Sequence, residues 1–133
     1  MDEILKFLKD AGTYYLATVD EVGDPQVRPF GTIAKFEDRL YFQTGNVKEV
    51  FKQIENHPRI AISATAKDGS SWIRLQADAI RDDRNEARAA VLDEYPHLKS
   101  MYAADDGNCE VLYLENITAA ICSFTAEPRI LEL

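Results

Sequence analysis

Long apolar runs are missing from this sequence, and none approaches the ~20 consecutive residues needed to span a bilayer. Positive charge is scarce as well. Fifteen basic residues stand against twenty-three acidic ones, a formal charge of -8. Non-specific contact with nucleic acid or with an anionic membrane needs a positive surface field, so neither is an expected partner. There are two cysteines, Cys109 and Cys122. They form no CxxC pair and have no histidine at metal-ligand spacing, which leaves no case for a metal site. Both read as buried thiols in a reducing compartment, with a disulfide as the alternative. No Ser-His-Asp or paired-carboxylate constellation can be assembled from spacing, so hydrolytic chemistry has no support. The opening residues, MDEILKFLKD, carry early acidic side chains and no signal-peptide core, so the cytoplasm is the expected location.

What is present fits one domain over residues 1–133. The chain is 46% hydrophobic, enough to bury a core without staples. Ile4, Leu5, Phe7 and Leu8 share one side of a short helix, with Asp2 as its cap and Gly12 as its end. TYYLATVD is β-branched and aromatic, and the turn Glu21-Val22-Gly23-Asp24-Pro25 makes it a hairpin with Gln26–Phe36. Pro29 inside that second run places it at a sheet edge or a bulge. Leu40–Thr44 is a third strand. Val47, Val50, Phe51 and Ile54 then follow at i, i+3, i+4 and i+7, a helical stripe that Pro58 stops. Arg59–Ala66 and Ser71–Ile80 are the next strands, joined by a turn at Lys67-Asp68-Gly69-Ser70. Asp83 opens a helix ended by Pro96, and a shorter helical piece lies around Leu98–Tyr102. Cys109–Leu114 and Thr118–Phe124 read as two further strands. Strands at hairpin spacing with two or three helices predict an α+β fold, an antiparallel barrel with helices at its ends and seams.

The junction between the third strand and its helix gathers Thr44, Gly45, Asn46 and Lys48. A helix N-terminus presents unpaired N–H groups and partial positive charge, a suitable place for a phosphate. Asn46 and Glu49 also have the spacing of a capping box, so a plain helix start is the competing reading.

In this order the pieces resemble the pyridoxamine 5'-phosphate oxidase-like family, the FMN-binding split barrels. YYLATVDEVGDPQVRPFG resembles its first hairpin with an Arg-Pro pair. LYFQTGNVKEVFKQIENHPRIAIS resembles its third strand, phosphate turn, helix, Asn-x-Pro and fourth strand. SSWIRLQADAIRDD and EYPHLKSMYAADD resemble the long fifth strand and the segment after the next helix. The resemblance implies a six-stranded antiparallel split β-barrel that forms a homodimer with two FMN sites between subunits. It places Arg28, Pro29 and Phe30 beside the isoalloxazine ring and Thr44 and Lys48 at the phosphate; Asn46, from the junction itself, joins the expected cofactor-binding residues. Trp72 and Arg74 are the expected contacts from the partner subunit.

There are departures. Gln76-Ala77 stands where the family often has glycine after Ile-Arg. The Thr44–Lys48 turn is shorter than in the vitamin B6 oxidases, and their Arg-rich C-terminal segment has no counterpart in SFTAEPRILEL. The sequence therefore reads as a short member that is not a pyridoxamine phosphate oxidase. Its expected function is an FMN-dependent oxidoreductase passing electrons or hydride from a reduced nicotinamide to a small-molecule acceptor. A non-catalytic flavin-binding protein is the alternative, and a split barrel adapted to haem or a deazaflavin ranks last.

Overall fold

In a computed structural model describing residues 1–133, the strands pair antiparallel throughout, and eight form where six were expected. Helix α1 (Asp2–Ala11) precedes the hairpin β1 (Tyr14–Val19) and β2 (Pro25–Phe30). Strands β3 (Ala34–Phe36) and β4 (Arg39–Gly45) lead into α2 (Glu49–Asn56). Then come β5 (Arg59–Thr65), β6 (Ser71–Asp82), α3 (Asn85–Glu94), a 3₁₀ turn (Pro96–Ser100), β7 (Cys109–Ser123) and β8 (Arg129–Ile130). The order across the sheet is β2-β1-β5-β6-β7-β4-β3, with β8 added beside β7. This is an α+β split barrel, and β2, with Pro29, lies at an edge as its proline requires.

The single run Gln26–Phe36 is a correction. It breaks at Gly31–Ile33, and its two halves pair with β1 and β4 at opposite ends of the sheet path. Side chains replace the missing ladder. The Tyr14 hydroxyl donates to Thr32 O at 2.6 Å, and the Tyr95 hydroxyl both accepts from Ile33 N–H at 3.0 Å and donates to Ile33 O at 2.9 Å. Conversely, the two strands expected after residue 108 are one. Asn116, at φ 52°, is absorbed within β7 opposite the register shift between Gln76 and Asp78 of β6. Its side-chain N–H donates to Asp78 at 2.8 Å, and its carbonyl accepts from Arg59 at 2.8 Å.

Three expected helix starts also move. Met1, Lys48 and Arg84 occupy the N-cap positions, none with a side-chain cap. Asp2 pairs with Lys35 instead, and Asp83 accepts from Arg88. The buried stripe of α2 is Val50, Phe51 and Ile54; Val47 precedes the helix and is 71% exposed. Those three residues, with Ile4 and Leu8 of α1, close the barrel interior over Leu16, Leu40, Phe42, Ile62, Ile73 and Leu75. Full burial of each such side chain is worth about 1.5–3 kcal/mol. A smaller apolar cluster, Ala34, Tyr41, Ala87, Val91 and Val111, seats α3. Cys109 and Cys122 are buried free thiols. No helix is long and apolar enough to cross a membrane.

Candidate functional site

Side chains alternate between the barrel interior and the outer face along each strand. On the outer face, register aligns Tyr15, Ser63, Arg74 and Ala120 in one row and Ala17, Ala61, Gln76 and Thr118 in the next. On central strand β6, Arg74 and Gln76 therefore stand between small residues of β5 and β7, with Val27, Trp72 and Ile130 at the margins. The result is a groove of about 750 Å³, within the ~300–1,000 Å³ usual for small-molecule and cofactor sites. Trp72 lies against Phe124, ring centres 4.9 Å apart, and Phe124 is 83% exposed. Arg74 is the groove's basic residue and has no carboxylate partner. Cys122, opposite Trp72 in the register, also lines it.

Arg28 does not face this groove. It pairs in register with Leu16, a core residue, so its side chain turns toward α2. One terminal nitrogen, Nη1, donates to Leu16 O at 3.1 Å and to Thr18 Oγ1 at 2.8 Å, and Nη2 donates to Gln53 Oε1 at 3.0 Å. Burial lowers the pKa of the guanidinium. Pro29 is exposed beside Tyr15, whereas Phe30 packs inward, stacked on Tyr14 at 6.0 Å and edge-on to Phe42 at 5.5 Å.

At the β4–α2 corner the backbone donors of the turn are spent, whereas those of Glu49 and Val50 at the start of α2 have no protein partner. Asn46 N–H donates to Asn108 O at 2.9 Å, Val47 N–H to Asn108 Oδ1 at 3.3 Å, and Lys48 N–H to Gly45 O at 3.1 Å. Asn46 makes no capping box; its side-chain amide donates to Gly107 O at 2.7 Å and to Glu110 at 3.0 Å. Gly45 allows this approach, since a Cβ there would lie 3.1 Å from both Asn108 Oδ1 and the Tyr102 hydroxyl. Glu110, with its side chain 3% exposed, also accepts from Arg81 at 2.8 and 3.1 Å, and Arg88 lies 3.6 Å away. Burial pushes the Glu110 carboxyl up; the hydrogen bonds from Arg81 and Asn46 and the nearby positive charges more than reverse this, leaving it below its ordinary value. Two side-chain groups at the corner also stay unspent. Lys48 is exposed with no ion pair, and the Thr44 hydroxyl is the one buried side-chain polar atom without a hydrogen-bond partner.

These residues fall in three places, the groove, the Arg28–Gln53 contact and the β4–α2 corner. Trp72 and Arg74 share the groove, Arg28 joins α2 through Gln53, and none of Arg28, Thr44, Asn46 or Lys48 lines the groove. Gln53, Thr18, Asn108 and Glu110 escape the sequence reading because each acts through a partner distant in the chain. His57 and His97 are exposed and lie outside the groove. An unspent buried hydroxyl, unpaired cations and an apolar groove match the needs of a phosphorylated aromatic cofactor such as FMN.

The comparisons agree with this architecture. The family model described as pyridoxamine 5'-phosphate oxidase matches residues 1–114. A NimC/NimA family protein from Clostridium acetobutylicum is 42% identical, with 100% of this chain and 92% of that one covered and a TM-score of 0.94. A pyridoxamine 5'-phosphate oxidase-related, FMN-binding protein from Nostoc punctiforme is 21% identical over 96% and 83% of the two chains, TM-score 0.72. A haem-binding protein from Mycobacterium smegmatis is 18% identical over 93% and 57%, TM-score 0.73. These last two show the shared fold alone. No curated protein sequence matches. With the family model spanning most of the chain and a 42% identical relative covering all of it, the protein belongs to the pyridoxamine 5'-phosphate oxidase family.

Proposed function

We propose that this protein binds FMN between two copies of the chain and passes electrons or hydride from a reduced nicotinamide to a small acceptor. The observation that carries the reading is how its cations are spent. Ten of the fifteen basic side chains form ion pairs; Arg28, Arg39, Lys48, Lys67 and Arg74 do not. In a protein with twenty-three acidic residues, a cation left unpaired beside a groove or helix start is available to a bound anion. Three of the five, Arg28, Lys48 and Arg74, belong to the family's site pattern.

Lys48 and the Thr44 hydroxyl hold the phosphate, with Asn46 fixing the turn between them. Arg28, beside Pro29 and Phe30, serves the ring from its strand. Trp72 and Arg74 reach the flavin from the partner subunit, which accounts for their lying apart from the other site residues within one chain. The flavin, when bound, supplies the redox chemistry; the protein orients it and sets the field around it.

Purified protein carrying the visible absorption of oxidised flavin, or acquiring it on addition of FMN, supports binding. A colourless protein that takes up no FMN overturns the proposal. Anaerobic bleaching by NADH or NADPH, with reoxidation by an added acceptor, supports turnover; a bound flavin that neither nucleotide reduces selects a non-catalytic binding role. Sedimentation of the flavin-loaded protein as a monomer overturns the shared site.

A further inference from the structure

Arg28 is held by three oxygens, and all three are neutral. A guanidinium has five N–H donors, and only three hydrogen bonds to protein are made, to Leu16 O, Thr18 Oγ1 and Gln53 Oε1. The acceptor on α2 is the informative one. Gln53 Oε1 also accepts from the Thr18 hydroxyl at 2.5 Å, so one amide oxygen ties β1, β2 and α2 together. Only the oxygen of that amide can face a guanidinium, because its nitrogen is a donor. A glutamate has the same length and would accept the same two bonds while neutralising the arginine. Acid is plentiful elsewhere on this helix, at Glu49 and Glu55. The amide instead stands at the one position touching a half-buried, unpaired cation.

We infer that Gln53 is the positioning residue for Arg28: it fixes the guanidinium to α2 through a neutral oxygen, leaving its charge for an anionic or electron-rich oxygen of a bound ligand. The inference rests on the flavin reading above, which puts that oxygen on the ring; the FMN phosphate is the alternative that the experiment distinguishes. Stability alone would favour the charged acceptor, because a partly buried cation gains from a hydrogen-bonded carboxylate. A merely structural Gln53 and a charge-preserving one therefore predict different behaviour for Gln53→Glu.

The test compares wild type with Gln53→Glu and Gln53→Met, each alone and with Arg28→Met. FMN and riboflavin affinities are read by flavin fluorescence, and melting temperature is read without flavin. Gln53→Glu is expected to raise the melting temperature and weaken FMN binding about tenfold or more, a loss that added salt reduces. Gln53→Met lowers the melting temperature and weakens FMN less, since the charge survives. With Arg28→Met, neither Gln53 change alters flavin affinity further. Loss confined to FMN assigns the phosphate as the oxygen served; equal loss for riboflavin assigns the ring edge.

Wild-type FMN affinity in Gln53→Glu overturns the inference and leaves the flavin reading intact, as does an unchanged loss in the Arg28→Met background. If wild type itself takes up no FMN, the flavin reading falls and inorganic phosphate becomes the probe. Phosphate then raising the melting temperature of wild type but not of Gln53→Glu retains the role of Gln53, and equal behaviour removes it.

Discussion

At the β4–α2 corner, Asn46 bonds to Gly107 and Glu110, Asn108 takes two backbone N–H groups, and Glu110 gathers Arg81 beside Arg88. In the outer groove, Arg74 has no ion pair, the Trp72 ring lies against an exposed Phe124, and small residues of β5 and β7 flank Arg74 and Gln76. The turn at the corner is completed by its own chain, with the Thr44 hydroxyl, Lys48 and the first N–H groups of α2 left over. The groove's Arg74 has no ion pair within the chain. A region whose polar groups are paired within the chain contributes to folding, and one whose exposed polar groups are unpaired can be altered at little cost to stability. The two should therefore respond differently to mutation.

The largest effect is expected at the corner. Glu110→Ala breaks a buried ion cluster and should destabilise the protein by about 3 kcal/mol in urea unfolding. The same carboxyl gives the corner a pH signature. Its pKa is depressed in the folded protein, so the unfolded chain binds more protons as acid is added. Its contribution is complete above the ordinary glutamate value of 4.5 and is lost as pH falls through the lower folded value. Glu110→Gln should flatten the decline of stability in that acid range; an unaltered acid profile would mean that Glu110 does not couple folding to protons.

The groove should show the opposite balance. Arg74→Ala is expected to weaken FMN binding about tenfold while changing stability by less than about 0.5 kcal/mol. Lys48→Ala, which removes an unspent cation at the corner, should behave like Arg74→Ala and unlike Glu110→Ala. A shared loss of stability in both would dissolve the contrast between the regions.

Thr44→Val sharpens it further. Removing an unpaired buried hydroxyl should leave flavin-free stability unchanged or raise it by up to about 1 kcal/mol, while FMN affinity falls. The smallest effect belongs to Lys67→Ala. This cation is also unpaired but stands at the exposed β5–β6 turn, outside the lining of the groove, so flavin affinity and stability should both stay at wild-type values.

Much of this was legible in the residues. The β1–β2 turn is written in Gly23, Asp24 and Pro25, the core stripe of α2 in Val50, Phe51 and Ile54, and the edge position of β2 in Pro29. These depend on local periodicity and backbone chemistry. The errors fell where a distant partner outbid a local one. The Asn46 amide lies three residues from Glu49 yet bonds to groups 61 and 64 residues away. Gly31–Ile33 leaves the ladder because Tyr14 and Tyr95 bind its backbone, and Tyr95 comes from the far end of α3.

By itself, then, the sequence determined the hairpins, the helices, the acid excess and which cations belong to the family's pattern. Each of these follows from residue type and short-range spacing. Tertiary structure alone decided that Arg28 turns inward to Gln53 while Trp72 and Arg74 turn outward to a groove. The face a side chain takes is set by strand register, and register is fixed by packing between strands far apart in the chain. The same long-range pairing spent the donors of Asn46 and Val47 and left Thr44 and Lys48 unspent.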